Sequence, residues 1–597
     1  MKAFFLLIFF ALMAPIWAIN MEREILRDGS EVSIDSPFAS LPAGGFFPIR
    51  ITIKNESSKE MKWDFDFKAH YGDYRGYGYR SGEKKDAPIQ SGSLLTCPTK
   101  ETRSFDLLIP IQQYALQSMG ERVVSITGKS KTHQAELFGV FQKETSNFTV
   151  LFSKELLSDH HSEIEDAFES SSVDRGNSHR YGYYSSHALS FNELDPAFFS
   201  EDWRAYCGYE GLVLTRKEYE KLSPGVLVAL DQWVRSGGVF VVVSDSETVI
   251  PEFQKGAIQH GLGMKAFFLS GIDHEIFDPN QISALFRKKT RLADQLGRQY
   301  KNNDWVVGFA LGERNFSKGL LLFALIIFAI VVGPINLYLF ANRHRRHRLF
   351  ITTPIISIVT SLLLVSFIML RDGFGGDGAR AVAIEVGGPN DKSTVILQEQ
   401  FVRTGIILSS DFGLDGNSVL FTPSPKATDL NLSDSVSSLG NYRLEFEKND
   451  DGWEIEGNIF QSRSETAQFL KSVVPSREHL ALISGREEVP QVTSSFSYSL
   501  RNVFFTDSEG GIWQVDEIGS GASATMSKTN LGSRREAIAK FTGRFSKSNR
   551  EVMERLLARP NSFVALADDA PTIATHDSID WQLTPTIITG LLSQPNL

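Results

Sequence analysis

Residues 209–247 read YEGLVLTRKEYEKLSPGVLVALDQWVRSGGVFVVVSDSE. Leu212 to Leu214 is a short apolar run of the kind a buried strand carries. Thr215 and Glu218 then have capping-box spacing, in which the threonine hydroxyl accepts from the amide three residues on and the glutamate reaches back. Ser223 caps a second helix, Pro224 takes its first position, where a missing N–H costs nothing, and Gly237 with Gly238 ends it. Val226, Leu227, Leu230, Trp233 and Val234 share one face of that helix. Val239 to Val243 follows without a polar interruption, the pattern of a strand covered on both faces. The stretch predicts an α/β unit, doubly wound, over 147–305, opened by the apolar run FTVLF.

On the N-terminal side, 19–146 has mostly period two. Ile49, Ile51 and Ile53 alternate, as do Trp63, Phe65 and Phe67, with the turn-forming NESSKE between them. This predicts a β-sandwich of immunoglobulin-like type. Residues 1–18, MKAFFLLIFFALMAPIWA, have the basic start, apolar run and small final residue of a secretory signal peptide.

On the C-terminal side, Gly319–Phe340 and Leu349–Leu370 are uncharged apolar runs long enough as helices to span roughly 30 Å of hydrocarbon. Between them, 341–348 carries Arg343, Arg345, Arg346 and Arg348, and the positive-inside tendency makes it a cytoplasmic turn. The two runs therefore predict a transmembrane hairpin in the cytoplasmic (inner) membrane, with both large regions on the periplasmic side. Pro334 would kink the first helix, and Asn336 would bond a carbonyl that the kink frees. After a glycine-rich linker at 371–380, residues 381–597 return to period two. Leu444 and Phe446 face Trp453 and Ile455 across KNDDGW, a hairpin pattern. The expected fold class is thus a multidomain α+β membrane protein: β-sandwich, α/β unit, two-helix hairpin and C-terminal β-rich domain.

The strand, helix and strand at GLVLT, LSPGVLVALDQWVRSGG and VFVVV resemble the class I glutamine amidotransferase-like fold. Such a unit followed by a hairpin with the GPIN motif and a basic turn resembles a group of poorly characterised bacterial envelope membrane proteins. Active members of that fold place a cysteine flanked by glycines after the strand matching Val239–Val243, and use a His-x-Glu pair. Here Ser244, Asp245 and Ser246 stand after the strand, His274 and Glu275 are adjacent, and Cys207 precedes the relevant strands. The resemblance therefore implies the fold without the chemistry. A hydrolase using Ser244 with His274 and Asp245 or Asp273 is the enzymatic alternative, but VVVSDSE lacks the small neighbours of a serine elbow. As a cap of the next segment, Ser244 needs none.

Composition narrows the remaining classes. With 42% apolar residues, 44 Phe and 8 Trp, the chain can fill several cores, and a net charge of −10 without a basic face in any soluble stretch argues against a nucleic-acid partner. Two cysteines, Cys97 and Cys207, make no disulfide framework and are expected as unpaired thiols. Asp159, His160, His161, Glu163 and Glu165 are metal-ligand types in a polar run, read as a solvated segment. Glycine patches at 375–380 and 508–512 do not link a strand to a helix, so no nucleotide cofactor is expected. The Tyr-rich loops at 70–80 and 179–187 suit binding surfaces or local packing. The reading is a non-catalytic, membrane-anchored envelope protein that contacts the lipid bilayer and other envelope proteins. A transport-complex subunit is the third reading.

Overall fold

The computed structural model describes residues 22–592 except 39–40, 43, 73–88, 112–120, 131–134, 145–148, 170–189, 193–198, 247, 252, 254–255, 270–277, 288–305, 313–317, 341–348, 389–391, 422–443, 450–451, 458, 485–488, 547–549, 551–553 and 555–558. The segment read as a signal peptide, the four arginines of the basic turn, His274, Asp273 and the 179–187 loop all lie outside the described residues.

The N-terminal strands are β1 (Glu22–Ile25), β2 (Glu31–Asp35), β3 (Gly45–Lys54), β4 (Met61–Gly72), β5 (Ile89–Cys97), β6 (Thr102–Ile111), β7 (Glu121–Ser130) and β8 (Ala135–Glu144). They pair as a four-stranded sheet, β1-β2-β3-β6, and as part of a second sheet in the order β5-β4-β7-β8. Alternation drives this: Ile49, Ile51 and Ile53 on one sheet and Trp63, Phe65 and Phe67 on the other are buried in a shared core.

Next come β9 (Thr149–Phe152), α1 (Lys154–Glu169), β10 (Ser190–Asn192), β11 (Gly211–Thr215), α2 (Arg216–Tyr219), α3 (Pro224–Arg235), β12 (Val239–Ser244), β13 (Gly256–His260), β14 (Gly263–Leu269) and α4 (Pro279–Arg287). The capping box of Thr215 and Glu218 is present, and Ser223 Oγ accepts from the Val226 amide with Pro224 at the first position of α3. Strands β10-β9-β11-β12-β14 run parallel, and β13 closes the edge antiparallel. Val150, Phe152, Val213, Val239, Val241 and Val243 pack against α1 and α4. Leu151, Leu212, Leu214, Phe240 and Val242 on the opposite face join α3 and the sandwich in one continuous core. This corrects the doubly wound expectation: a self-contained α/β unit is not evident, because one face of the sheet belongs to a core shared with the β modules.

Between this sheet and the C-terminal strands stand α5 (Lys318–Ile330) and α6 (Leu349–Asp372). The first apolar run is not one α-helix: α5 ends at Ile330, and Val331–Phe340, which contains Pro334, has π-helical hydrogen bonding. At thirteen residues, α5 spans only about 20 Å at 1.5 Å per residue. Pro334 has no N–H to offer the ladder there. Pro354 lies inside α6, among Thr352, Thr353, Ser357 and Thr360. Among the described residues no helix is long and apolar enough to cross a membrane. The finding corrects the transmembrane hairpin of the expected fold class and removes the basis for an inner-membrane location. Asn336 is also placed differently from expectation: it is fully buried, and its amide donates to Thr353 Oγ1 at 2.8 Å, bridging the two helical segments rather than bonding a freed carbonyl.

The C-terminal region opens with β15 (Gly376–Val386), β16 (Ser393–Thr404), β17 (Phe412–Asp415), β18 (Ser418–Phe421), β19 (Leu444–Lys448), β20 (Gly452–Gly457) and β21 (Glu465–Pro475). Strands β15, β16, β18 and β21 belong to a ten-stranded sheet completed by later segments, among them Leu500–Thr506, Ser562–Ala567 and Thr586–Leu591. The hairpin β19–β20 forms with Phe446 opposite Ile455, but it does not stay with its neighbours in sequence. Leu444 to Phe446 pair in parallel with Ile89 to Ser91, so β17, β20 and β19 extend the second N-terminal sheet to seven strands. Among the described residues the protein is mostly β, 47% strand against 25% helix, and its modules interlock rather than follow one another.

Candidate functional site

The seam between α3 and the C-terminal sheet gathers charged and aromatic side chains around one cleft. On α3 the apolar face turns Val226, Leu230, Trp233 and Val234 into the core, which leaves Leu227, Val228 and Asp231 on a flank, at the three- and four-residue spacings of one helical stripe. Strands β13 and β14 meet in a two-residue turn closed by His260 opposite Gly263. Gly261 there has φ +58°, at the position a type II′ turn reserves for glycine. Ile258 pairs with Lys265, and His260 lies two residues on, so the period of two puts His260 and Lys265 on one face, toward α3.

Asp231 receives both. Its Oδ1 accepts from Lys265 Nζ at 2.6 Å and lies 2.8 Å from His260 Nε2. The Lys265 side chain is 11% exposed, against 31% for Asp231 and 28% for His260, so the ammonium is the most enclosed of the three. Its Nζ also sits 5.9 Å from the centre of the Phe253 ring. Phe253 meets Tyr219 and Phe240 in T-shaped contacts and those two rings are tilted against each other, with centroids 5.7–6.0 Å apart. These groups, with Lys392 and Ser393 of the C-terminal region, line a cleft of about 650 Å³. The size lies within the ordinary range for small-molecule sites.

Burial alone would push the Asp231 carboxyl up, but the hydrogen bonds from His260 and Lys265, with their positive charges, outweigh it and hold Asp231 well below the usual carboxylate range. Since the folded value is depressed, its stabilisation is fully present above the unfolded value of about 3.9 and is lost as pH falls below that toward the folded value. The expected result is a steeper loss of urea resistance below about pH 4 in the native chain than in Asp231→Asn. Unfolding midpoints measured from pH 2 to 6 check it; parallel acid limbs would contradict the assignment.

Behind the cleft, α3 is tied to the C-terminal sheet by buried charge. Arg235 is 1% exposed; its Nη2 and Nε donate to Glu385 Oε2 at 2.7 and 3.2 Å, and its Nη1 to Ser393 Oγ at 2.7 Å. Arg559 Nη2 donates to the Gly261 carbonyl, and Lys471 Nζ to the Ser236 carbonyl at 2.9 Å. The turn that presents His260 is thus held at the Gly261 carbonyl, and the end of α3 at the Ser236 carbonyl.

The residues singled out from the sequence lie elsewhere. Ser244 is buried, its Oγ donating to the Ser246 carbonyl and accepting from the Ser246 amide, both at 3.0 Å, while Asp245 is exposed beside it. His160 and His161 lie on α1 against Glu163 and Glu165, at 2.8 and 3.8 Å. Among the described residues no group of three potential metal ligands is assembled. Cys97 and Cys207 are buried free thiols, and burial pushes the Cys207 thiol up to about 12. Asp231, His260 and Lys265 escaped the sequence reading. The polar flank of α3 and the HGLG turn were both legible signals, but nothing local says that the two face each other.

No family model matches the chain, and no curated protein matches it. Solved structures show weak likeness. The mu-homology domain of yeast delta-COP-I in complex with a Dsl1 peptide is similar at TM-score 0.18 and 9% identity, over 37% of this chain and 98% of that one. A beta-D-mannosidase from Dictyoglomus thermophilum is similar at TM-score 0.16 and 9% identity, over 85% and 75%. A calcium-binding mutant of beta-glucuronidase 2 from Bacteroides uniformis is similar at 0.16 and 8%, over 97% and 63%. At these scores neither the fold nor the site draws an argument from them.

Proposed function

We propose that this chain is a non-catalytic interaction protein whose interlocked β scaffold presents the α3 cleft to a small amphipathic anion. The observation that carries the reading is the composition of the cleft. Lys265 and Lys392 outnumber Asp231 above an aromatic floor of Tyr219, Phe240 and Phe253. An apolar or aromatic body suits the floor, and a carboxylate or phosphate head suits the cations, where charge-assisted hydrogen bonds are strong. Asp231 orients Lys265 and His260 before any ligand arrives, which lowers the ordering cost of binding.

Isothermal titration with 2-naphthoate and phenyl phosphate tests the reading, with neutral 2-naphthalenemethanol as the control. Saturable binding of the acids is expected, weakened about tenfold or more in Lys265→Gln, as loss of a hydrogen bond to a charged group implies. Lys392→Gln, on the wall of the cleft and outside the Asp231 cluster, should weaken it without touching the fold. Equal binding of the neutral control, or unchanged affinity in Lys392→Gln, would refute the proposal.

A further inference from the structure

A second groove lies between the two N-terminal sheets, where the 3-10 turn Trp203–Tyr206 and the β19–β20 hairpin close over them. Its volume is about 320 Å³. Two planar ion pairs stand in its wall. Arg50 bonds Asp106 through Nε at 2.6 Å and Nη2 at 3.1 Å. Arg204 bonds Asp202 through Nε at 3.0 Å and Nη2 at 2.6 Å. Arg204 is 8% exposed, its guanidinium lies 5.6 Å from the centre of the Phe46 ring, and its Nη1 is buried with no acceptor.

The charges in the wall balance: Arg50, Arg204 and Lys448 against Asp106, Glu201 and Asp202. A neutral wall gives no advantage to an ionic ligand. Each ion pair does set guanidinium donors beside carboxylate acceptors in a fixed fork. Adjacent hydroxyls on one ring can answer both halves of such a fork, one oxygen accepting from the guanidinium while its neighbour donates to the carboxylate. Ser91 and Ser93 add further hydroxyls, and Trp453, stacked on Phe46 at 5.6 Å, supplies an apolar surface. From this we infer that the groove is a binding site for a neutral polyhydroxylated ligand, of the class of a short sugar. It is separate in place and in chemistry from the α3 cleft.

Titration calorimetry of the full chain with maltose, cellobiose, lactose and N,N′-diacetylchitobiose tests the inference. At least one should bind with a dissociation constant of about 10 mM or tighter. Asp106→Asn, at a half-exposed side chain that the fold tolerates, should weaken that binding about fivefold or more, and Arg204→Lys, which cannot form the planar fork, more strongly still. Lys392→Gln should leave it unchanged, and 2-naphthoate should not compete, which separates this inference from the reading of the α3 cleft. Absence of binding by all four sugars, unchanged affinity in Asp106→Asn, or competition by 2-naphthoate would overturn it.

Discussion

Replacing Arg235 by alanine is expected to cost about 3–5 kcal/mol, the loss that follows when one member of a buried ion pair is left without its partner. Glu385 is only 6% exposed, and the truncation removes both of the hydrogen bonds it receives from Arg235 together with the one Arg235 makes to Ser393. Urea unfolding followed by tryptophan fluorescence reads the effect. The double replacement Arg235→Met with Glu385→Leu separates two meanings of the pair. Near-native stability in that variant would show that the pair fixes the seam between α3 and the C-terminal sheet without adding net stability. A loss as large as that of the single replacement would show that the charges themselves hold the modules together. A single replacement that changes stability by less than about 1 kcal/mol would contradict the burial and geometry described for this contact.

Trp233→Ala is the second large effect, about 3–5 kcal/mol, the usual range for removing a buried indole. Trp233 is 2% exposed and its ring packs 6.0 Å from Tyr206 in the continuous core. Gly238 lies directly beneath it: a Cβ at that position would stand 2.3 Å from the indole. Gly238→Ala is therefore expected to displace the same ring and to destabilise in the same direction, while Trp233→Phe should lose less than Trp233→Ala because part of the volume remains. Since Trp233 and Arg235 share the last turn of α3, their combined loss should fall short of or exceed the sum, and a double-mutant cycle measures the coupling.

Local rules were legible in the sequence because their causes are local. The cap at Ser223 with Pro224, the capping box of Thr215 and Glu218, and the facing of Phe446 and Ile455 each depend on residues within a dozen positions of one another. The parallel pairing of Leu444–Phe446 with Ile89–Ser91 joins residues hundreds of positions apart and leaves no periodic trace, so the interlocking of the β modules had no signature. The same holds for Arg235 with Glu385: an arginine in the last turn of a helix reads as a favourable charge at a C-terminus, and only the tertiary fold buries it. The apolar runs after residue 318 were read from composition, which reports hydrophobicity but not helix continuity. The change to π-helical bonding at Val331 and the Asn336–Thr353 bridge are properties of the backbone path. The cleft fell between these cases. His260 and Lys265 follow from the register of a short hairpin and Asp231 from the polar flank of α3, but their meeting depends on where the sheet edge is added.

An amphipathic anion seated in the α3 cleft, as proposed, would shield the segments that line it. Hydrogen–deuterium exchange of the full chain with and without saturating 2-naphthoate reads that shielding directly. Slowed exchange is expected in 219–232 and 256–265 and around Lys392 and Ser393, with the N-terminal groove unchanged. Slowed exchange confined to other segments, or none in these under conditions where calorimetry records binding, would contradict the proposal.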